Sequence, residues 1–593
     1  MKKNIILLIT VLIQSLSLFS QNIPSSQITN WESPGSLPSF NFQQSVSITD
    51  YGADTSGIIA SDVAIQLAVL ALNGSAGEIY IPKGTYLFLQ TIYLPDSVII
   101  RGEVDTLING SLAIFKLSPG ENHGISITGS EISTTETLTY TLVQGQQKIT
   151  VINPLSFSVG DFIKLKAFDD SLLVTSTWAY NSTGQIFQVT GINGNDLLLN
   201  KPLRRSYSTT QPPVIYKITP RKQVHIKCIK IERLNATTSQ SANILMDFAA
   251  DCSVSGIASN NCNYAHILIQ NSTRITVENS FFQNGLSYGE GGKAYGTLLQ
   301  YTTGDCFIHQ NIFKHLRHSM VLQSGANGNV LAYNYSIDPH WEETILPANS
   351  AGDITLHGNY VYMNLFEGNI VQNIVIDNSH GINGPYNTFY RNRTELWGIF
   401  MNASAGNYQN FIGNQVTNTG LIPYGYYLLT GTQYEYGNMV KGTVKPSGSF
   451  EPSGTSMFGY NFGSYYNIVS NIPPIKNNNW KSSDPLIEAI YRNNISEKKS
   501  ICNEIIYDAS LILNPDDKFE IYPNPFNEGF TLKNKSDRVY LTIKIFNILG
   551  KLVYSQNVNS KYNTINFTDA NSGMYFLQIE GVEKHVFKIL KFN

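Results

Sequence analysis

Charged residues are scarce in this chain of 593 residues: they make up 14% of it, and 40 Lys and Arg nearly balance 43 Asp and Glu. A charge this small and balanced offers no general attraction to nucleic acid or to anionic lipid. We therefore expect a partner that is recognised locally and is not nucleic acid. Asn, Ser, Thr, Gly and 34 Tyr are abundant instead, and this composition, typical of turns and strands, predicts an all-β protein.

Cysteine is also rare. Its number is odd, and no two cysteines have the short spacing of a zinc site. Buried thiols or one disulfide are the expected states. The five are Cys228, Cys252, Cys262, Cys306 and Cys502.

Long apolar runs are missing after the N-terminus. Lys2 and Lys3 precede an apolar run that ends at Ile13, and small and polar residues follow it. This order predicts a signal peptide over residues 1–20. No later run is long enough to span a bilayer, so we expect an exported chain without a transmembrane segment.

An internal repeat indicates the fold. Six short β-type segments each end in Asn, and the distances between these residues are 32, 23, 35, 23 and 22. A unit of about 23 residues, twice lengthened, fits one coil of a parallel β-helix. Asn at one place in successive coils can form a hydrogen-bonded ladder, which favours a structural role over a catalytic one. The six are Asn279, Asn311, Asn334, Asn369, Asn392 and Asn414.

Three stretches interrupt this repeat. The two lengthened units carry the extra loops 283–296 and 337–353, and such loops often form the walls of a binding groove. Residues 130–220 read as short strands around Gly-Asn turns and predict an antiparallel β insertion. We expect the insertion to be structural more than substrate-binding. The β-helix is predicted over 40–485, with an end-cap and linker over 486–517.

The segment before the repeat has the pattern of a strand, a capping helix and two strands. It resembles the N-terminal part of the pectate-lyase-like (pectin-lyase-fold) superfamily, which implies a right-handed parallel β-helix. The sequence departs from that family at Thr55-Ser56-Gly57, where Gly-Asp-Gly is common. The matching residues are Asp50, Gly52, Ala53, Asp62, Ala64, Ile65, Gln66, Pro82, Gly84 and Tyr86.

A final segment, residues 518–593, contains evenly spaced strands that predict a small Ig-like β-sandwich. It resembles the C-terminal sorting domain of type IX secretion. The resemblance implies a Bacteroidetes-like source, the type IX machinery as a partner, and export through the periplasm and across the outer membrane to the surface or outside. It rests on Tyr522-Pro523-Asn524-Pro525, Asn547 to Lys551, Ser572 to Tyr575 and the region Lys588 to Lys591.

A His-Gly pair recurs at His357 and His380, and the difference of 23 predicts the same place on consecutive coils. Two neighbouring imidazoles with a carboxylate can transfer protons near neutral pH, and Asp377 lies three residues before His380. Histidines stacked in the interior are the competing interpretation. Asp353 lies four residues before His357.

Arg391 and Arg393 flank Asn392, so strand alternation predicts that both point away from the ladder. On an outward face they would hold a uronate carboxylate through paired hydrogen bonds, which β-elimination requires. A solvated ion pair with Glu395 or Glu367 is the alternative. A second basic group aligns less closely with the histidines: Lys314, Arg317 and His318.

Aromatic residues near these positions are candidates for stacking on sugar rings, although strand alternation buries about half of them. The superfamily often binds calcium, but the sequence has no compact Asp cluster, so calcium is an option without assigned ligands. The aromatic candidates are Tyr360, Tyr362, Tyr386 and Trp397, with Trp341, Glu342 and Glu343 on the second loop.

These features predict a secreted, monomeric, polysaccharide-degrading enzyme. The leading hypothesis is a lyase that cleaves a uronate-containing glycan by β-elimination, with His357 or His380 as base and Arg393 as carboxylate neutraliser. One alternative is a glycoside hydrolase with two carboxylates across the scissile bond. Another is a non-enzymatic glycan-binding or adhesin-like solenoid. The carboxylate candidates for the hydrolase are Asp353, Glu367 and Asp377.

Overall fold

The structure is a computed structural model, and it separates into two compact units, Met1–Cys502 and Asn503–Asn593. The predicted signal peptide lies outside the described residues, as does the predicted end-cap and linker apart from Ser500 and Cys502. The described residues are 23–36, 42, 44–105, 110–167, 173–210, 212–289, 291–342, 352–450, 452, 456–458, 500, 502, 519–523, 526–535, 541–547, 552–568, 570, 573–580 and 584–591.

The first coils of unit one combine short strands with one α-helix, α1 (Asp62–Ala71), and two 3-10 helices, η1 (Ser25–Gln27) and η2 (Ile48–Tyr51). Ile65 and Ala68 of α1 are buried and belong to the main core, so the helix covers the end of the stacked coils. The strands are β1 (Gln44–Ser47), β2 (Ser56–Ala60), β3 (Gly77–Ile81), β4 (Gly84–Phe88), β5 (Ile92–Tyr93), β6 (Val98–Gly102), β7 (Val104–Asp105), β8 (Gly110–Ser111), β9 (Ala113–Leu117) and β10 (Ile125–Thr128).

The predicted insertion is a six-stranded antiparallel sheet with its own apolar core, in the order β11-β16-β13-β14-β15-β12. It is fastened to the coils by a buried ion pair between Arg204 and Asp305 and by Tyr362, whose hydroxyl donates to Gly184 O at 2.7 Å. The elements are β11 (Ser130–Thr137), β12 (Lys148–Thr150), η3 (Pro154–Ser156), β13 (Phe162–Lys166), η4 (Thr177–Ala179), β14 (Gln185–Asn193), β15 (Asp196–Leu199) and β16 (Val214–Thr219).

The remaining coils continue from β17 to β42. Phenylalanines stack from coil to coil inside them, for example Phe366 on Phe389 and Phe389 on Phe411, both with ring centroids 4.9 Å apart. The strands are β17 (Arg221–Lys222), β18 (Val224–Lys227), β19 (Lys230–Arg233), β20 (Ala242–Asp247), β21 (Ala249–Ser255), β22 (Ala258–Asn260), β23 (Ala265–Gln270), β24 (Thr273–Glu278), β25 (Phe281–Gln283), β26 (Tyr295–Gln300), β27 (Phe307–His309), β28 (Ile312–Lys314), β29 (His318–Leu322), β30 (Val330–Ala332), β31 (Tyr335–Ile337), β32 (Ile354–Leu356), β33 (Leu365–Glu367), β34 (Ile370–Ile376), β35 (Thr388–Tyr390), β36 (Arg393–Met401), β37 (Asn410–Ile412), β38 (Gln415–Val416), β39 (Tyr426–Leu428), β40 (Tyr434–Tyr436), β41 (Asn438–Val440) and β42 (Thr443–Lys445).

The coil strands pair in parallel along three faces. One face runs β1-β3-β6-β18-β21-β24-β27-β30-β33-β35-β37-β40. A second follows β19, β22, β25, β28, β31 and the start of β34. The third, which we call the site face, follows β20, β23, β26, β29, β32 and the end of β34. These parallel pairings confirm the predicted all-β, right-handed parallel β-helix.

The asparagine ladder is present with one change. From Asn311 onward each ladder amide donates to the next, with distances of 2.9 to 3.1 Å, and Asn438 adds a rung beyond Asn414. The residue before each rung has a positive φ, between 53° and 64°, which turns the chain. Asn279, predicted to be a rung, has φ 52° and fills this turn position instead; Ser280 follows it and donates its N–H to Asn311.

The second unit contains a three-stranded antiparallel sheet, β43-β44-β47, and a four-stranded one, β46-β45-β48-β49. Their apolar residues form one core that includes Phe530, Ile543 and Leu577. The Ig-like assignment stays a prediction. No helix in the described part of the chain is long and apolar enough to cross a membrane. The strands are β43 (Phe519–Tyr522), β44 (Gly529–Asn534), β45 (Leu541–Asn547), β46 (Leu552–Val558), β47 (Tyr562–Asn566), β48 (Gly573–Glu580) and β49 (Lys584–Lys591).

Candidate functional site

A cavity of about 660 Å³ opens over the site face. Coil strands form its floor, Trp178 of the antiparallel insertion contributes to one wall, and Gly291, Gly292 and Trp341, from the described parts of the two extra loops, contribute to another. Aromatic and polar side chains dominate the lining, a combination suited to sugar rings and their hydroxyl groups. The lining residues are Trp178, Gln240, Tyr264, Gly291, Gly292, Tyr295, Gln300, Tyr301, Arg317, Gln323, Trp341, His357, Ser379 and His380.

A row of polar side chains runs along the site face from coil to coil. Gln323 Nε2 donates to Gln300 Oε1 at 2.6 Å, and Gln300 Nε2 donates to Gln270 Oε1 at 2.9 Å. Gln270 Nε2 then donates to Asp247 Oδ2 at 3.0 Å. We call these four residues the glutamine row. His357 continues this row. Leu322 of β29 pairs with Leu356 of β32, and Gln323 and His357 are the residues that directly follow them.

His357 is paired with Asp377 on the next coil. The strands β32 and β34 are in register up to the preceding residues, so the two side chains stand side by side, and His357 Nδ1 donates to Asp377 Oδ2 at 2.6 Å. Burial alone would raise the pKa of Asp377, but the electrostatic interaction and the hydrogen bond with His357 outweigh it and lower the pKa. The carboxylate thus fixes the imidazole with Nε2 as its free nitrogen.

The imidazoles of His357 and His380 meet edge to face, with ring centroids 4.6 Å apart. Their spacing of 23 residues was predicted to place them in register, and this is wrong: Asp377 is the residue beside His357, and His380 lies in the following turn, where its carbonyl accepts from Asn359 N. Burial and the nearby His357 lower the pKa of His380, so its ring is neutral at neutral pH.

Two residues of the second basic group lie close to His357: Arg317 lines the cavity, and His318 is buried beside it. The His318 ring centroid lies 6.0 Å from that of His357, and burial with the nearby Arg317 holds the pKa of His318 well below its usual value. The Arg317 guanidinium lies over the Trp341 ring, 4.8 Å from its centroid, and donates from Nη1 to Gly289 O. Among the described residues, Arg317 Nε and Trp341 Nε1 have no hydrogen-bond acceptor.

Arg391 and Arg393 do not lie at this site. Arg391 has φ 54°, so the chain turns there and strand alternation does not apply. Both side chains are buried; Arg391 donates to Pro452 O and Arg393 to Gln415 Oε1. Arg393 begins β36 beside the start of β34, roughly 20 Å along the strands from the residues that precede Asp377. The predicted role of Arg393 as carboxylate neutraliser is therefore wrong.

Of the predicted aromatic residues, only Trp341 lines the cavity. Tyr360 lies under the Arg205 guanidinium, with 4.9 Å to its ring centroid. Tyr386 contacts Tyr408, and Trp397 stacks on Tyr424 with centroids 5.2 Å apart. Tyr362 is buried and bonded to the insertion.

The predicted carboxylate pairs are not assembled either. Asp353 and Glu367 are fully buried, and burial raises the pKa of Asp353 to about 6 and that of Glu367 to about 7. No Asp or Glu is among the described residues that line the cavity. Within the described ranges, no group of three or more His, Cys, Asp and Glu is arranged to hold a metal ion.

The sequence prediction missed the glutamine row and Trp178. The row does carry a signal: Leu-Ile-Gln270, Leu-Leu-Gln300, Val-Leu-Gln323, Thr-Leu-His357 and Val-Ile-Asp377 are the same tripeptide pattern on successive coils. Trp178 has no such signal, because it lies in the insertion and reaches the site only through the tertiary fold.

Two family models match parts of the chain. Residues 45–155 match a model described as rhamnogalacturonase A/epimerase, pectate lyase-like, and residues 520–591 match a secretion system C-terminal sorting domain. Both matches confirm the predicted resemblances. No curated protein matches the chain.

Several solved structures are similar to it. The tailspike protein gp49 from Pseudomonas phage LKA1 has 16% identity and a TM-score of 0.47, covering 63% of this chain and 64% of that one. The tailspike gp61 of Pseudomonas phage phi297 has 12% identity and a TM-score of 0.45, covering 67% of this chain and 66% of that one. The catalytic unit of a GH87 α-1,3-glucanase from Streptomyces thermodiastaticus strain HF3-3 has 13% identity and a TM-score of 0.35, covering 71% of this chain and 68% of that one. The match spans just under two thirds of either tailspike.

The pectate-lyase-like match over residues 45–155 agrees with the parallel β-helix that the structure shows. The sorting domain carries an export signal for type IX secretion, which delivers a protein to the cell surface or outside. The chain is therefore an exported protein that combines a pectate-lyase-like parallel β-helix with a C-terminal sorting domain.

Proposed function

We propose that this protein is a polysaccharide lyase that cleaves a uronate-containing glycan by β-elimination in the cavity over the site face. The observation that carries the proposal is the convergence of a His–Asp pair, a neutral His and one Arg on a cavity without a described acidic lining residue. Elimination needs a base and a cation beside the substrate carboxylate.

His357 is the proposed base. Its Nδ1 is engaged with Asp377, so Nε2 is the nitrogen left to accept a proton, and the ionised Asp377 stabilises the imidazolium that forms. His380, neutral and in edge contact, adds no positive charge that would oppose this protonation. Asp377 acts through His357 as a positioning residue.

Arg317 takes the role first assigned to Arg393. Its guanidinium is always charged and lines the cavity, and its Nε is a buried donor without an acceptor among the described residues. A uronate carboxylate in the cavity would be bound by this guanidinium through a charge-assisted hydrogen bond. The same interaction stabilises the enolate that develops when the neighbouring carbon loses its proton.

The reaction then balances as follows. His357 Nε2 takes the C5 proton, the C–H electron pair becomes the C4–C5 double bond, and the C4–O bond breaks. The departing oxygen takes a proton from the Tyr301 hydroxyl, which lines the cavity and whose pKa is raised by burial. The products are a new reducing-end chain and an unsaturated uronate.

The test is to follow unsaturated-uronate absorbance and new reducing ends while the protein is incubated with a panel of acidic glycans. We expect both signals to rise, and both to be lost in His357→Ala. His315→Ala is a matched control, since His315 Nδ1 makes the same contact with Asp338 at 2.8 Å but does not line the cavity. Equal loss in both variants, or reducing ends without absorbance, contradicts a lyase with His357 as base.

Glycan binding without cleavage is the second candidate function. The glutamine row and the aromatic lining favour it, because both can hold sugars without chemistry. Retention of an acidic glycan with neither absorbance nor new reducing ends would support this candidate. A hydrolase has less support, since its two carboxylates are not among the described lining residues.

A further inference from the structure

We infer that the antiparallel insertion and the glutamine row together form a sugar-binding subsite on the N-terminal side of His357. The inference rests on the proposed function for the position of the cleaved bond, but it concerns binding alone. Trp178 of the insertion would supply the stacking face, and Gln300 and Gln323 would bind hydroxyl groups. The ligand class is a uronate oligosaccharide.

Trp178 is placed as a wall of the cavity rather than as part of a core. It is 44% exposed, yet its ring meets two other lining residues edge to face, Tyr301 at 6.1 Å and His380 at 5.3 Å. An exposed aromatic face beside polar groups is the surface on which a sugar ring stacks. Trp178 therefore bridges His380 and Tyr301, which follows β26, two coils before the coil of His357.

The insertion holds this wall in a fixed place. Ser182 lies four residues after Trp178, and its backbone O accepts from Thr302 Oγ1 at 2.7 Å. Asn327 Nδ2 donates to Gly184 O at 3.1 Å. The buried ion pair of Arg204 with Asp305 joins the same two parts. A binding residue on a rigid support loses little freedom when the ligand arrives, which favours affinity.

The floor beneath Trp178 has the matching chemistry. Gln300 uses one N–H within the glutamine row, and Gln323 donates to Gln300 and, at 3.5 Å, to the Tyr264 hydroxyl. Among the described residues this leaves one N–H of Gln300 and Oε1 of Gln323 as positions for a ligand. Coils repeat every ~4.8 Å, close to the length of one sugar unit, so neighbouring rungs suit neighbouring positions on a glycan.

The experiment measures binding separately from chemistry. Calorimetry on the full chain carrying His357→Ala would titrate tetrasaccharides of galacturonate, mannuronate and a glucuronate-containing glycosaminoglycan, with neutral maltotetraose for comparison. We expect one acidic probe to bind, and Trp178→Ala in the same background to weaken it about tenfold. Trp397→Ala is the matched control, since that ring stacks on Tyr424 outside the cavity.

A second pair of variants tests whether the glutamine row contributes to binding. Gln300→Ala should weaken the same probe several-fold, roughly one lost hydrogen bond, whereas Gln188→Ala, in β14 of the insertion and outside the cavity lining, should leave it unchanged. Equal affinity in the Trp178→Ala and Trp397→Ala backgrounds, or no binding of any probe, overturns the subsite. A wild-type protein that binds through Trp178 but forms no unsaturated product would refute the lyase and leave the subsite standing.

Discussion

The asparagine ladder allows a stability change to be worked from hydrogen bonds. Asn369 is fully buried, and its Oδ1 accepts from Asn334 N at 3.0 Å and from Asn334 Nδ2 at 2.9 Å. Asn369→Ala removes that acceptor and strands two buried donors. Each buried unsatisfied group costs about 1–3 kcal/mol, so the variant should lose about 2–6 kcal/mol of local stability.

The first rung should be less sensitive. Asn311 Oδ1 accepts from Ser280 N at 3.1 Å, and no second donor reaches it among the described residues. Both variants lose the two bonds that the Asn amide donates, but Asn311→Ala strands one donor where Asn369→Ala strands two. Its cost should therefore be smaller by about 1–3 kcal/mol, the cost of one stranded donor. Asn195→Ala, an exposed residue next to a hairpin glycine, is the control, with an expected change within about 0.5 kcal/mol.

Hydrogen exchange of the backbone amides is the suitable assay. Repeat arrays can unfold in parts, so one global midpoint would average over coils, whereas exchange reports the opening free energy of each coil. The interior variant should increase exchange near Asn334 more than the terminal variant does near Ser280. Equal effects of the two, or effects no larger than that of the control, would refute the counting of stranded donors.

Three further predictions concern ionisable groups. Asp377→Asn should lower lyase turnover about 10²- to 10⁴-fold, because His357 loses its orienting carboxylate. Folding lowers the pKa of Asp377, so the stabilisation from this carboxylate is present above its unfolded pKa of about 4 and is lost as the pH falls through its folded pKa. Acid titration of the variant should therefore lack this loss of stability. Folding raises the pKa of Glu367 from 4.5 to about 7, so its stabilisation is complete below about pH 4.5 and declines up to pH 7. Glu367→Gln keeps an acceptor for the Tyr333 hydroxyl and should unfold at higher temperature than wild type at pH 8, with no such gain at pH 4. Burial raises the pKa of three thiols, to about 12 for Cys252. Iodoacetamide should therefore leave Cys252, Cys262 and Cys306 unmodified in the native protein, and mass spectrometry would detect any modification of them.

The fold was predictable because one residue type marks one place in every coil. The ladder from Asn311 to Asn414 repeats with a constant local geometry, a left-handed residue followed by Asn, so distance along the sequence translates directly into stacking. The prediction failed at Asn279, where the marker is displaced by one position and Ser280 occupies the rung. Periodicity predicts the coil but not a shift of one residue at the end of the array.

The site was only partly predictable, for two physical reasons. Equal spacing of His357 and His380 did not mean equal register, because the turn after β34 (377–387) is three residues longer than the turn after β32 (357–364) and moves His380 past Asp377. Strand alternation misplaced Arg393, since the left-handed Arg391 breaks the strand and both faces are covered there. Local pattern indicates which side chains alternate, whereas the outer covering is a property of the whole chain.

The interruptions of the repeat carry more functional information than the repeat itself. Identical coils alone would present a flat strip of glutamines beside leucines, with nothing to enclose a ligand. The insertion brings Trp178 to this strip, loop 283–296 brings Gly291, and loop 337–353 brings Trp341, although these segments are far apart in sequence. All three segments contribute lining residues to the cavity that contains Gln323 and His357. The ladder therefore supports the fold, and the interrupted coils are where the proposed binding and chemistry would take place.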